Sequence, residues 1–127
     1  MIVHGIGVDL VDISRISKIL EKEKTAFINR ICSENEKLEL NELSGEKLVN
    51  KVSKMFAVKE AVSKAFGTGI RLGINFADIE LQKDELGKPF VKLYGTTKNF
   101  FEKNIEGKIE VSLADEKNLT IAFVVIQ

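Results

Sequence analysis

The chain has 127 residues, of which 44% are hydrophobic and 30% are charged. This size fits one domain, predicted over residues 1–127, and the composition argues against an intrinsically disordered chain. Lys plus Arg equals Asp plus Glu at 19 each, so we expect no nucleic-acid partner, because phosphate binding requires clustered excess basic charge.

The N-terminal half predicts one strand and three helices. The strand is indicated by β-branched, mostly apolar residues, and the helices by apolar residues at helical spacing between capping signals. In chain order these are a strand at residues 2–11 ending near Asp9, a helix capped by Asp12 or Ser14 and ending near Lys24, a helix from the capping box Ser33–Glu36 to about Leu43, and a long helix from about Glu46 to Phe66 with Gly67 as its C-terminal cap. Cys32, the only cysteine, lies in an apolar run, so we expect a buried and unreactive thiol.

The C-terminal half predicts four strands and one helix. In chain order these are a strand at Asp78–Lys83, a turn at Asp84–Pro89, a strand at Phe90–Tyr94, a helix capped by Thr96 and ending near Glu106, and strands at Lys108–Leu113 and Leu119–Ile126. The longest apolar run, near Ile121–Ile126, is too short to span a membrane, and the start does not resemble a signal peptide, so we expect a cytoplasmic protein with no membrane partner. The elements together predict a single α+β domain with a mostly antiparallel sheet packed around a long central helix.

Two charged residues lie on the predicted inward side of the long helix. At about 100° per residue, Lys59 falls within an apolar stripe that is formed by Leu48, Val52, Met55, Val62 and Phe66. Glu60 lies about 100° from Lys59, and Lys64 follows one turn later on the same side. A structural explanation is open, because Glu60 and Lys64 form an i,i+4 pair and the Lys59 head group could extend into water.

Asp9 makes a functional explanation possible. Aspartate is disfavoured within strands, yet Asp9 follows two glycines that permit close backbone approach. It could cap the next helix; if it faces Glu60 instead, each carboxylate raises the pKa of the other unless a cation lies between them. Mg²⁺ suits two carboxylates with water and phosphate oxygens. Lys59 and Lys64 could then hold phosphates, with backbone N–H groups of Gly67–Gly69 nearby.

Several motifs carry a family resemblance in their order and spacing. They are Gly5–Ile16, Phe56–Ala61 continuing through Lys64–Ile70, Glu85–Pro89, Val111–Glu116 and the apolar Ala122–Ile126. Together they cover nearly the whole chain and resemble holo-acyl-carrier-protein synthase, the small bacterial phosphopantetheinyl transferase family. The resemblance implies transfer of 4′-phosphopantetheine from coenzyme A to a serine of apo-acyl-carrier protein, release of adenosine 3′,5′-bisphosphate, a role in fatty acid biosynthesis, and a homotrimer with active sites at subunit interfaces.

The resemblance also implies residue roles. Asp9 and Glu60 are expected to hold Mg²⁺, with Glu60 as a candidate general base and Lys64 near the pyrophosphate. Coenzyme A binding is expected of a larger set, namely Lys59, Ser63, Gly67, Thr68, Gly69, Lys88 and Pro89. The basic face of the first helix, formed by Arg15, Lys18 and Lys22, complements an acidic carrier protein, although a solvated helix face has the same pattern. Glu110 departs from the family, in which many members carry histidine at that position.

Two other functions stay open at this level. The chain could be a catalytically silent nucleotide- or protein-binding module of the same fold, although Asp9, Glu60 and Lys64 together favour an enzyme. It could also be a transferase that modifies carrier proteins of another pathway.

Overall fold

The computed structural model describes residues 2–127, so Met1, the first residue of the predicted domain range, lies outside it. The elements of the described part are β1 (Gly5–Asp12), α1 (Ile13–Ile31), α2 (Glu34–Asn41), α3 (Gly45–Ala65), a short 3-10 turn (Phe76–Asp78), β2 (Ile79–Lys83), β3 (Pro89–Leu93), α4 (Gly95–Asn104), β4 (Ile109–Asp115) and β5 (Leu119–Ile126). The predicted α+β class is confirmed.

The five strands form two antiparallel sheets, where the sequence predicted one. β5 lies between β1 and β4 in a three-stranded sheet, and β2 pairs with β3 in a separate hairpin. Tertiary packing determines which strands pair when they are far apart in sequence, so hydrophobic periodicity alone does not predict how strands group into sheets.

Helix α3 packs across the inner face of the three-stranded sheet. Its residues Val52, Met55, Val58 and Val62 have no exposed surface. The contact with β1 is unusually close, because a Cβ at Gly7 would lie 1.9 Å from the carbonyl oxygen of Ala61. The two glycines of β1 therefore let backbone meet backbone, and this brings the strand residues that follow them beside α3.

The ends of α1 and α2 test the predicted helix bounds and caps. Asp12 is the N-cap of α1, and its carboxylate accepts the N–H of Ser14 at 2.9 Å. The helix bends at Glu23, which has non-helical φ and ψ of −148° and 49°, so the end predicted near Lys24 is a kink, and α1 continues to Ile31. The capping box at the start of α2 is confirmed.

The predicted Thr96 cap of α4 is wrong. The helix begins at Gly95, and its first turn is capped from another element: the carboxylate of Asp78 accepts the N–H and the hydroxyl of Thr97 at 3.3 and 3.0 Å. A tertiary contact thus replaces the local cap. None of the helices within residues 2–127 has the length and apolarity needed to cross a bilayer.

Candidate active site

Asp9 and Lys64 meet where α3 lies against β1. Asp9 is in the middle of β1 rather than at its end, in the alternating row of Gly7 and Val11 that faces α3. Nζ of Lys64 donates to Oδ1 of Asp9 at 3.1 Å and to the carbonyl oxygen of Val8 at 2.9 Å. The Asp9 side chain is 16% exposed and that of Lys64 is 50% exposed, so the pair lies at the rim of the core.

Glu60 lies one turn before Lys64 on the same side of α3 and is partly buried. Burial raises the pKa of Glu60, and the negative charge of Asp9 raises it further; Lys64 and Arg15 lower it in part. Asp9 and Glu60 therefore lie close enough for their charges to interact, and the cap of α1 is Asp12 rather than Asp9. Of the two alternatives for Asp9, the structure favours the one in which it adjoins Glu60.

The donor set of this site fits a hard divalent cation. The positive charges nearby offset the repulsion between the two carboxylates only in part, so a cation between them would stabilise both in their ionised form. In the part of the chain that the structure describes, no group of three or more His, Cys, Asp and Glu side chains converges. Asp9 and Glu60 would thus leave most coordination positions to water and phosphate oxygens, an arrangement that Mg²⁺ commonly adopts.

Lys59 and Ser63 are both buried in this chain rather than open to the site beside Asp9, and their contact with coenzyme A stays a prediction. The ammonium of Lys59 is fully buried on another side of α3, and it donates to Glu36 at 2.7 Å and to two backbone carbonyl oxygens. Ser63 is fully buried, and its hydroxyl donates to the carbonyl oxygen of Glu60 at 2.8 Å. Helical spacing predicted the inward direction of Lys59 but not the buried carboxylate that meets it.

The loop after α3 also differs from its predicted use. Gly67 and Gly69 have φ of +79° and +67°, as expected of a helix C-terminus. The N–H groups of Thr68 and Gly69 donate to the carbonyl oxygen of Ser63 at 3.3 and 3.1 Å, and that of Gly67 donates to the carbonyl oxygen of Lys64 at 3.0 Å. These N–H groups therefore cap the helix and are not free for a phosphate. A coenzyme contact of this loop through other atoms stays a prediction.

Lys88 and Pro89 line a groove on the β4 side of α3, away from the Asp9–Lys64 contact on the β1 side. Nζ of Lys54 meets Asp115 of β4 at 3.1 Å, whereas Lys64 meets β1, and β5 lies between these two strands. The groove has a volume of about 420 Å³, and its further lysines, which no sequence motif indicated, are Lys51, Lys54 and Lys83. Within one chain, the residues predicted to bind coenzyme A are thus divided between two flanks of one helix.

The basic face of α1 lies as predicted. Arg15, Lys18 and Lys22 are exposed in the part of the helix before the kink, while Ile16 and Leu20 are buried against the core. Arg15 is also close enough to lower the pKa of Glu60. The basic face therefore adjoins the carboxylate site, and its use for docking stays a prediction.

Comparison with known proteins gives one consistent family. Residues 5–124 match the 4′-phosphopantetheinyl transferase superfamily. The holo-[acyl-carrier-protein] synthase of Orientia tsutsugamushi strain Boryong is 43% identical over 126 residues, which are 98% of this chain and 96% of that protein. The crystal structure of the Neisseria meningitidis holo-[acyl-carrier-protein] synthase has a TM-score of 0.92 and 36% identity over 99% of both chains. The Bacillus anthracis enzyme, crystallised in complex with CoA (3′,5′-ADP), has a TM-score of 0.83 and 36% identity over 99% of this chain and 97% of that one.

Proposed function

Since this chain belongs to the 4′-phosphopantetheinyl transferase superfamily and is an enzyme of the holo-[acyl-carrier-protein] synthase type, we propose that Asp9, Glu60 and Lys64 form its Mg²⁺-dependent active site. In the proposed reaction, a serine hydroxyl of apo-acyl-carrier protein attacks the β-phosphorus of coenzyme A. The phosphorus–oxygen bond of the pyrophosphate breaks, and adenosine 3′,5′-bisphosphate leaves. We further propose that the product carrier supports fatty acid biosynthesis.

The observation that carries this proposal is the pair of neighbouring carboxylates, Asp9 and Glu60, beside Lys64. Asp9 and Glu60 would hold Mg²⁺, which neutralises charge on the pyrophosphate when bound. Glu60 is the candidate base for the serine proton, because a carboxylate can accept a proton from a hydroxyl held beside it. The Lys64 side chain is half exposed, and its ammonium contacts Asp9 and acts on the charge of Glu60, so it would stabilise the leaving phosphate.

The division of the predicted coenzyme-binding residues supports an oligomeric site. In one chain the Lys88 groove lies on the β4 side of α3 and the Asp9–Glu60 pair on the β1 side, and we propose that a neighbouring copy supplies one of them to a bound coenzyme A molecule. The outer face of the three-stranded sheet offers a surface for such a contact. On this face Val8 is 48% exposed and pairs with Phe123, which is 47% exposed. Leu10 is 62% exposed and pairs with Ile121, which is 37% exposed.

Monomeric proteins rarely leave contiguous apolar patches of this kind open to water. We therefore propose the homotrimer implied by the family, held through this sheet face. Light scattering coupled to gel filtration measures the assembly, and Val8→Lys should shift the protein toward monomer and lower transferase activity in parallel. A monomeric wild type with full activity would exclude the shared site.

The transferase proposal is tested by mass spectrometry of intact carrier protein. Apo-acyl-carrier protein is incubated with this protein, coenzyme A and Mg²⁺, with and without a chelator. We expect a metal-dependent gain of one phosphopantetheine group, absent in Glu60→Gln. Running carriers from fatty acid and polyketide synthesis side by side identifies the pathway, and folded, metal-loaded protein that modifies no carrier would overturn the proposal.

A further inference from the structure

A fully buried ion pair lies on a side of α3 different from the one that faces Asp9. The Lys59 side chain is 0% exposed and that of Glu36 is 1% exposed. Nζ of Lys59 lies 2.7 Å from Oε1 of Glu36 and also donates to the carbonyl oxygens of Phe76, at 3.0 Å, and Ile79. All three ammonium donors are therefore used inside the protein, and they point in fixed directions.

Glu36 joins α3 to two other elements. Its Oε1 also accepts the N–H of Ser33 at 2.9 Å, and its Oε2 accepts the N–H of Leu81 at 3.0 Å. The carboxylate thus bridges the start of α2, the side of α3 and strand β2. Glu80 extends the connections, because it accepts the hydroxyls of Ser33 at 2.6 Å and Tyr94 at 2.9 Å.

Such a buried pair is better suited to fixing an orientation than to adding stability. Desolvation of two charges offsets most of their attraction, whereas each hydrogen bond restricts direction closely. Where α3 meets β1, it rests on Gly5 and Gly7, which have no side chains to interlock with the helix. The hydrogen bonds of Lys59 therefore add directional restraints on the rotation of α3 that the glycine contact does not supply.

Rotation of α3 matters because Glu60 directly follows Lys59. A carboxylate roughly 6 Å from the helix axis moves by about 1 Å when the helix turns by about 10°. A displacement of about 1 Å in a catalytic site can lower a rate about 100-fold. We infer that Lys59 and Glu36 are positioning residues, whose ion pair sets the rotation of α3 and so places the Glu60 carboxylate opposite Asp9. This inference rests on the role proposed for Glu60.

Glu36→Gln and Glu39→Gln form a matched pair for the test. Glu39 lies one turn later on α2, and its half-exposed carboxylate pairs with Lys51 of α3 at 3.0 Å. Each variant loses one charge from α2 and weakens one ion pair to α3. For Glu36→Gln we expect kcat about tenfold lower or more, with KM for coenzyme A within about twofold of wild type. For Glu39→Gln we expect both constants within about twofold of wild type.

Binding of Mn²⁺ to the resting protein, followed by electron paramagnetic resonance, gives a readout without turnover. Glu36→Gln should raise the Mn²⁺ dissociation constant about tenfold, because the two carboxylates no longer face each other correctly, and Glu39→Gln should not change it. A folded Glu36→Gln variant with kcat and Mn²⁺ affinity within about twofold of wild type would overturn the inference. Inactive wild-type protein in the same assay would instead overturn the proposed function, and the inference with it.

A double variant separates positioning from stability. Lys59→Met leaves the Glu36 carboxylate buried without a partner, whereas Lys59→Met with Glu36→Gln removes both charges. We expect the double variant to regain most of the melting temperature lost by Lys59→Met while kcat stays about tenfold or more below wild type. Recovery of kcat together with stability would show that the pair only stabilises the fold. If the double variant does not fold, the comparison of Glu36→Gln with Glu39→Gln by itself decides whether the ion pair positions Glu60.

Discussion

Gly7→Ala tests whether the close contact between β1 and α3 holds the proposed site together. The new Cβ would lie 1.9 Å from the carbonyl oxygen of Ala61 and 2.8 Å from the nitrogen of Ala65, both backbone atoms that cannot rotate away. Restoring an ordinary contact of 3.4 Å requires α3 to move by 3.4 minus 1.9, or about 1.5 Å. This movement would open the core beneath the helix and stretch the 3.1 Å contact between Lys64 and Asp9 beyond hydrogen-bonding distance.

Gly7→Ala should therefore lower both stability and activity. Overpacking against backbone costs about 3 kcal/mol, at the upper end of the usual range, which for a chain of this length lowers the melting temperature by about 11 °C. Separation of Asp9 from α3 should lower kcat/KM by about 100-fold. Calorimetry and the carrier modification assay measure the two effects.

Gly5→Ala is the internal comparison for this prediction. Its Cβ would clash with the carbonyl group of Ala65, at 2.2 Å from the oxygen, and would meet Cδ1 of Ile126 at an ordinary contact of 3.5 Å; Ala65 is the last residue of α3. The helix end can yield more easily than its middle, so the losses should be smaller than for Gly7→Ala. A Gly7→Ala variant that melts within about 2 °C of wild type and keeps its activity would refute the reasoning.

Three further predictions follow from the charged and buried groups. Because the pKa of Glu60 is raised in the folded protein, its ionised form lowers the free energy of unfolding above that pKa. With metal chelated, Glu60→Gln should therefore be more stable than wild type at pH 7. Denaturation at several pH values should show this difference in stability vanish below the ordinary glutamate pKa of 4.5. Burial raises the pKa of Cys32 to about 12, so a maleimide should label the protein only after denaturant is added; rapid labelling of the native protein would contradict this placement. Lys18→Glu should raise KM for the carrier protein about tenfold at low salt, with a smaller effect at high salt, whereas Lys103→Glu on α4 should not; equal effects of both would exclude docking on α1.

Much of the fold was predictable because its signals are local. The capping box at Ser33, the stop at Gly67 and the exact limits of β5 follow from residues close together in sequence. The extent of α1 did not, because the segment after the kink at Glu23 is held by burial of Phe27 and Ile31 in the core. Hydrophobic periodicity likewise could not predict that the strands group into two sheets, because strand pairing depends on contacts between distant segments.

The sequence by itself determined that Asp9, Glu60 and Lys64 were the residues to examine, through helical spacing, an aspartate after two glycines and a family resemblance. Only the tertiary structure decided how the charges divide around α3. Glu60 and Lys64 face the rim beside β1, whereas Lys59, adjacent in sequence, enters the core and meets Glu36. The physical reason is that helix periodicity fixes a direction around the axis, while the environment in that direction is supplied by elements from elsewhere in the chain.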